Sequence, residues 1–198
     1  MIKRIYFEKK DEMKYISHRD FLRFLERLFK ISKLDIEYSN GFHPRPRMSF
    51  GKPISIGEEV SLEPMDILFK KKFTNESIIS NLNRNSPKGF KVLDSIDIDG
   101  KSSIISTFNS LLYHIEFINK NDKDKFIDFL SNEKIIETRE KNKRLQYRDL
   151  KVNLVSIKDV SANSVEIILN NVSPNSFIRL SKINVENIII KRIKYLNT

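Results

Sequence analysis

Strand-like and helix-like patterns follow one another along this chain in the same order twice, and that order restricts the possible folds more than any single motif. Residues 2–9 read as a strand. Ser17, with Asp20 three positions later, marks an N-cap and partial capping box, and the helix it opens runs to about residue 32. Strands are predicted at 34–38 and, after a long extended segment, at 59–71; a helix follows at 75–85 and a strand at 90–98. This is β-α-β-β-α-β, the split βαβ or ferredoxin-like pattern, in which an antiparallel sheet carries both helices on one side.

The second half repeats the order. A strand is predicted at 111–118, and a helix at 122–130 turns Phe126, Ile127, Phe129 and Leu130 inward. Residues 134–157 supply a charged strand or hairpin, and 165–169 another strand. Ser173-Pro174 places an N-cap before proline at the first helical position of a helix to about 182, and 188–195 closes the set. The halves share element order but no residue-level identity. The expected fold is therefore α+β, tandem ferredoxin-like, with halves at 1–98 and 111–198 joined by a linker at 99–110.

At 198 residues and 39% apolar content the chain can bury a core as one domain or two. No uninterrupted apolar run approaches the roughly 18 residues of a membrane span, and charges break up the first ten residues. The expectation is a cytoplasmic protein without a membrane partner. The absence of cysteine excludes thiolate ligation of an iron–sulfur cluster and a cysteine nucleophile. A formal charge of +10 favours a polyanionic partner. Lysine, asparagine and isoleucine are abundant throughout, so arginine placement is the better guide, and Arg19, Arg23, Arg27, Arg45 and Arg47 cluster in one part of the chain.

Two elements carry that cluster. On the first helix, Phe21, Phe24, Leu25 and Leu28 form an apolar side, while Arg19, Arg23, Arg27 and Lys30 fall within about 80° of one another opposite it. The following stretch, Tyr38-Ser-Asn-Gly-Phe-His-Pro-Arg-Pro-Arg-Met-Ser-Phe-Gly51, contains no acidic side chain. Each proline drives the residue before it, His43 and then Arg45, towards extended geometry. A stiff basic loop of this kind suits a phosphodiester backbone held beside a stacking ring. The candidate RNA or anion contacts are Arg19, Arg23, Tyr38, Phe42, His43, Arg45, Arg47 and Lys52. Arg139, Lys141, Lys143, Arg144, Arg148 and Lys151 make a second basic cluster opposed by Glu140 and Asp149.

Catalytic signatures are sparse. The three histidines, His18, His43 and His114, show no metal-ligand spacing, and neither a P-loop nor GxGxxG is present. No cofactor or metal is expected. His18 or His43 is the candidate general base for metal-independent RNA cleavage, with Tyr15 or a lysine stabilising charge. The catalytic aspartate of a pseudouridine synthase has no counterpart in 40–58.

The run Tyr15-Ile-Ser-His-Arg-Asp-Phe-Leu-Arg23, the loop above continued through Lys52-Pro53, and then Ile56-Gly57, Glu63 and Asp66, together resemble the radical-SAM-linked protein family, a domain of unknown function. Weaker echoes occur at Leu82-Asn83, Pro87-Lys-Gly89 and Ile190-Lys-Arg192. The chain departs from the family pattern at Arg19, usually apolar, and Pro64, usually tyrosine. The resemblance implies a gene beside, or fused to, a radical SAM enzyme with a cobalamin-type domain. Joined to the basic patch, it implies an accessory protein that holds a transfer or ribosomal RNA for that enzyme. Two other expectations stand beside it: a docking subunit that meets the radical SAM enzyme through Phe42, Met48 and Phe50, and an endoribonuclease or transferase using His43 or His18.

Overall fold

The computed structural model of the protein describes residues 1–100 and 103–197. The protein is α+β, with mostly antiparallel strands and five α-helices among the described residues. It divides into two compact units, Met1–Phe108 with Arg192–Asn197, and Asn109–Lys191.

The first unit contains β1 (Ile2–Lys9), α1 (His18–Ile31), β2 (Met48–Phe50), β3 (Glu59–Leu68), α2 (Asn75–Asn85), β4 (Phe90–Ile98) and the short α3 (Ile104–Thr107). Central β1 pairs antiparallel with β3 through Ile5↔Met65 and with β4 through Ile5↔Ser95, and β2 lies on β3 through Phe50↔Met65. Because strand side chains alternate between faces, Ile5, Phe7, Met65 and Ile67 project together. They meet Phe21, Leu25, Leu28 and Phe29 of α1 and Ile78 and Leu82 of α2 in one buried cluster. The buried positions of α1 recur at helical spacing. Side-chain caps open both helices: Ser17 Oγ accepts from Asp20 N–H at 3.2 Å, and Thr74 Oγ1 accepts from Ser77 N–H at 3.2 Å.

The second strand departs from its predicted position. Residues 34–38 make a single bridge to the strand end, Ile36↔Phe69, before the chain leaves the sheet; it returns at Met48 to pair with Ile67. The basic loop is therefore an excursion from an edge strand. Pro44 and Pro46 have no N–H to continue a ladder, which accounts for the interruption. Its neck is tied at Leu68, whose carbonyl accepts from Glu37 N–H at 2.7 Å and whose N–H donates to the Arg47 carbonyl at 3.1 Å. The expected linker includes 101 and 102, which lie outside the described residues; from Ser103 onward it is a capped helical turn that buries Ile104.

The second unit contains β5 (Ser110–Phe117), α4 (Lys120–Ser131), β6 (Ile136–Lys141), β7 (Arg144–Asp149), β8 (Leu154–Ser161), β9 (Ser164–Asn170), α5 (Pro174–Ser181) and the beginning of β10 (Ile188–Leu196). β9 lies antiparallel between β5 and β8. Leu111, Tyr113, Ile115, Val165, Ile167 and Leu169 are buried, as are Phe126 and Leu130 of α4 and Phe177 and Ile178 of α5. The charged segment resolves into a separate two-stranded ribbon, β6-β7, followed by edge strand β8. From Arg192 onward, β10 belongs to the first unit.

Phe7 is fully buried, with ring centroids 5.5 Å from Phe21 and 5.3 Å from Phe90. Phe7→Ala is expected to lower the urea unfolding free energy by about 3–5 kcal/mol; a loss below about 1 kcal/mol would show that this aromatic cluster does not hold the unit together.

Candidate functional site

The N-terminal half of α1 and the returning limb of the loop enclose a cleft of about 510 Å³, whose walls include His18, Arg19, Arg23, Arg45, Pro46 and Phe50. Helical periodicity explains the helix wall. With Phe21 and Leu25 committed to the core, residues 19, 22, 23 and 26 turn towards the loop. The loop wall depends on the short strand, in which Met48 and Phe50 line the cleft and pack against the core while Ser49 is exposed. The His18 ring stands edge-on to Phe50, with centroids 6.0 Å apart.

The acids at this site are engaged. Glu26 Oε1 accepts from Lys30 Nζ at 3.0 Å and from the Tyr38 hydroxyl at 3.4 Å. Asp20 accepts from the Ser17 hydroxyl at 2.6 Å and lies 3.4 Å from Arg23 Nη1. The Ser17 bond, the largest cause, holds the Asp20 carboxyl below its usual range. The cleft is left with three exposed guanidinium groups and one imidazole as its outward chemistry.

The other sequence candidates occupy different places. Phe42 stands at the loop tip beside Gly41, whose φ is 122°, and its side chain is wholly exposed at 103% of the reference area. His43 is exposed on the same tip and does not line the cleft, so it does not share that chemistry with His18. Arg47 is exposed at the neck and also lies outside the cleft lining. Tyr38 is a half-buried prop between α1 and the loop, bridged to Pro46, not a free stacking ring. The alternative docking anchors Met48 and Phe50 pack against the core, leaving Phe42 as the free ring of that set.

Lys52 belongs to a buried ionic cluster that sequence reasoning missed. Arg192, 2% exposed, donates from Nε to Glu58 Oε1 at 2.9 Å and from Nη1 to Glu63 Oε1 at 3.1 Å. It also donates to the Lys52 carbonyl at 3.0 Å and the Pro53 carbonyl at 2.9 Å. The Tyr195 hydroxyl donates to Glu63 Oε1 at 3.1 Å and accepts from Lys52 N–H at 2.7 Å. Lys9 is buried in phase with Ile5 and Phe7, and burial chiefly pushes its pKa down. Burial, then Arg192, lowers the Lys52 ammonium to about 8. The available signal was phase: Lys9 and Glu63 occupy the apolar face of their strands, opposite the alternation expected of charged side chains. Among the described residues no group of three or more His, Asp or Glu side chains is arranged to hold a metal, and no helix is long and apolar enough to cross a membrane.

An α+β scaffold carrying an arginine-walled cleft and an exposed aromatic loop is the class of protein that these elements define. The chain belongs to the family described as an uncharacterized protein conserved in bacteria (DUF2344), whose model matches residues 3–182. No curated protein matches it. One similar solved structure is a chain from a crystal structure of a Cbf5-Nop10-Gar1 complex, at 10% identity and a TM-score of 0.48; the match covers 98% of this chain and 48% of that one, so this chain spans about half its length.

Two measurements test the buried cluster. A Cβ on Gly51 would lie 2.0 Å from the Tyr195 hydroxyl. Gly51→Ala should therefore cost about 2 kcal/mol or more of stability, and less than about 1 kcal/mol in a Tyr195→Ala background; equal costs in both backgrounds would mean that the two residues do not meet. Burial, the largest cause, raises the Glu63 carboxyl from 4.5 to about 7. A raised carboxyl favours the fold fully at low pH and loses that contribution as pH climbs through the folded value. The melting temperature should fall from about pH 5 to 7 more steeply in the wild type than in Glu63→Gln, and identical slopes would refute the assignment.

Proposed function

We propose that the protein is an accessory RNA-binding module that presents a nucleotide to a separate enzyme. Arg19, Arg23 and Arg45 contact phosphates in the cleft while Phe42 stacks on an unpaired base. The observation that carries this reading is the cleft itself: α1 and the loop bring these arginines to one hollow, and the same loop carries at its tip a fully exposed aromatic ring, three residues before Arg45 in the sequence. Guanidinium groups suit phosphate oxygens because they donate in a planar fork, and exposed rings suit single-stranded bases because every base offers a stacking face.

The finer parts of this reading rest on the sequence. A radical SAM enzyme as partner, and transfer or ribosomal RNA as substrate, follow from the motif resemblance alone. We further read the two units as two ferredoxin-like folds in tandem. That interpretation is supported by β-α-β-β-α-β order in each, with the β6-β7 ribbon inserted in the second.

Three phosphate contacts predict a slope of log K against log salt near −2, so binding of small single-stranded RNA should weaken about 20-fold between roughly 50 and 200 mM salt. Arg19→Glu with Arg45→Glu should lower affinity at least about tenfold and flatten that slope. Phe42→Ala should weaken binding by about 1–3 kcal/mol with the slope unchanged. Fluorescence anisotropy measures all of these, and affinity insensitive to both salt and charge reversal would overturn the proposal.

A further inference from the structure

The β6-β7 ribbon is not accounted for by the fold's own stability. Its base is fixed: Ile135 and Leu150 are buried, Asp149 Oδ1 accepts from Ile135 N–H at 3.0 Å and from Lys151 N–H at 2.9 Å, and Glu137 is 1% exposed between Arg139 and Arg179. Beyond that base β7 is exposed along both faces and adds nothing to the core.

The register sorts its side chains by chemistry. Residues directly opposite one another in an antiparallel pair share a face. Glu137↔Arg148, Arg139↔Gln146 and 141↔Arg144 alternate with Ile136↔Asp149, Thr138↔Tyr147 and Glu140↔Leu145. Arg139, Arg144, Gln146 and Arg148 therefore project from one face, where Arg139 is committed with Arg179 to the acid Glu137 and Arg144 and Arg148 are exposed. Glu140 falls on the other face with Thr138, Leu145 and Tyr147.

The connecting turn supports the same reading. Asn142 and Lys143 have φ of 53° and 59°, the pair of positive values required by a two-residue type I′ hairpin turn. Lys143 at the second position adds an exposed cation at the ribbon tip.

We propose that this basic ribbon face binds the duplex stem of a structured RNA. Arg144 and Arg148 contact phosphates across the wide, shallow minor groove while Arg139 stays paired with Glu137, and Gln146 reaches the groove's 2′-hydroxyl groups. The inference deepens the RNA reading given above, and assigns stem recognition to the second unit while the cleft takes the unpaired segment. A two-stranded ribbon suits this role because its strands lie only about 4.8 Å apart and can carry rows of cations along one face of a groove.

The test uses the full chain with three RNAs at fixed salt: a plain duplex, a single strand, and a stem-loop combining the two. Arg144→Ala/Arg148→Ala is the ribbon variant, Arg19→Glu/Arg45→Glu the cleft variant, and Leu145→Ser/Tyr147→Ser a control for the opposite ribbon face. Circular dichroism melts confirm that each variant is folded. The expected result is that the ribbon variant loses about tenfold in affinity for duplex and stem-loop with single-strand affinity unchanged, while the opposite-face control binds as the wild type does. Duplex affinity that is unmeasurable in the wild type, or unchanged in the ribbon variant, overturns the inference. Duplex binding lost in the ribbon variant, with no single-strand binding in any protein, supports the ribbon and overturns the cleft reading instead.

Discussion

The buried guanidinium of Arg192 fixes the chain on the downstream side of the candidate site. It donates to two acidic side chains, Glu58 and Glu63, and to the carbonyls of Lys52 and Pro53. Charges removed from water are costly wherever a partner is missing, and here Glu63 Oε2 is buried with no hydrogen-bond partner among the described residues, so removal of the arginine would leave Glu58 and Glu63 without the cation that offsets their burial. Lys52, Pro53 and Glu58 are tied to this one guanidinium, which anchors the chain where the basic loop ends. Gly51 reinforces it by letting the Tyr195 hydroxyl approach a backbone that any side chain would displace.

Upstream, the loop is held by different chemistry. Leu68 bonds to Glu37 and Arg47 at once, so the neck is closed by backbone groups, and Tyr38 braces it against α1 through Glu26. The excursion is thus clamped at both ends, with its tip exposed. Such an arrangement resembles the general use of loops on rigid scaffolds: α1 commits Phe21, Leu25, Leu28 and Phe29 to packing, and the same helix can then present Arg19 and Arg23 with their backbone already ordered.

Much of the local structure could be read from the chain because its signals are short-range. Ser17, Thr74 and Ser173 each precede a helix they cap, and Ser173-Pro174 also announces the first helical turn. The bounds of α2 and β4 follow from apolar period and flanking breakers. What could not be read depends on pairing between distant segments. The 34–38 run has strand-like composition, yet Met48–Phe50 holds the strand position because the prolines divide one edge strand into two pieces. Arginine clustering in the sequence groups Arg19, Arg23 and Arg45, which line the cleft, with Arg47 and Lys52, which do not, because all carry the same charge and differ only in surroundings. Arg192 lies more than a hundred residues from Glu58 and Glu63, and neither composition nor periodicity joins them. Nor does sequence pattern show that the chain's last strand returns to the first unit.

On the proposed reading, the distribution of cations also bears on how a substrate is released. An accessory protein that presents RNA to another enzyme must let go after each reaction, which disfavours one deep, high-affinity pocket. Three solvent-exposed guanidinium groups and a stacking ring supply only modest affinity, most of it removable by salt. The ribbon, read by itself, offers a second contact of a different kind: cations along one face suit the phosphates of a duplex, whereas the cleft suits an unpaired segment. On that reading selectivity at each site rests on whether the RNA is paired or unpaired, and not on base-edge hydrogen bonds. The abundance of lysine elsewhere on the surface adds a general attraction to polyanions but cannot make this distinction, since diffuse charge is indifferent to the shape of what it attracts.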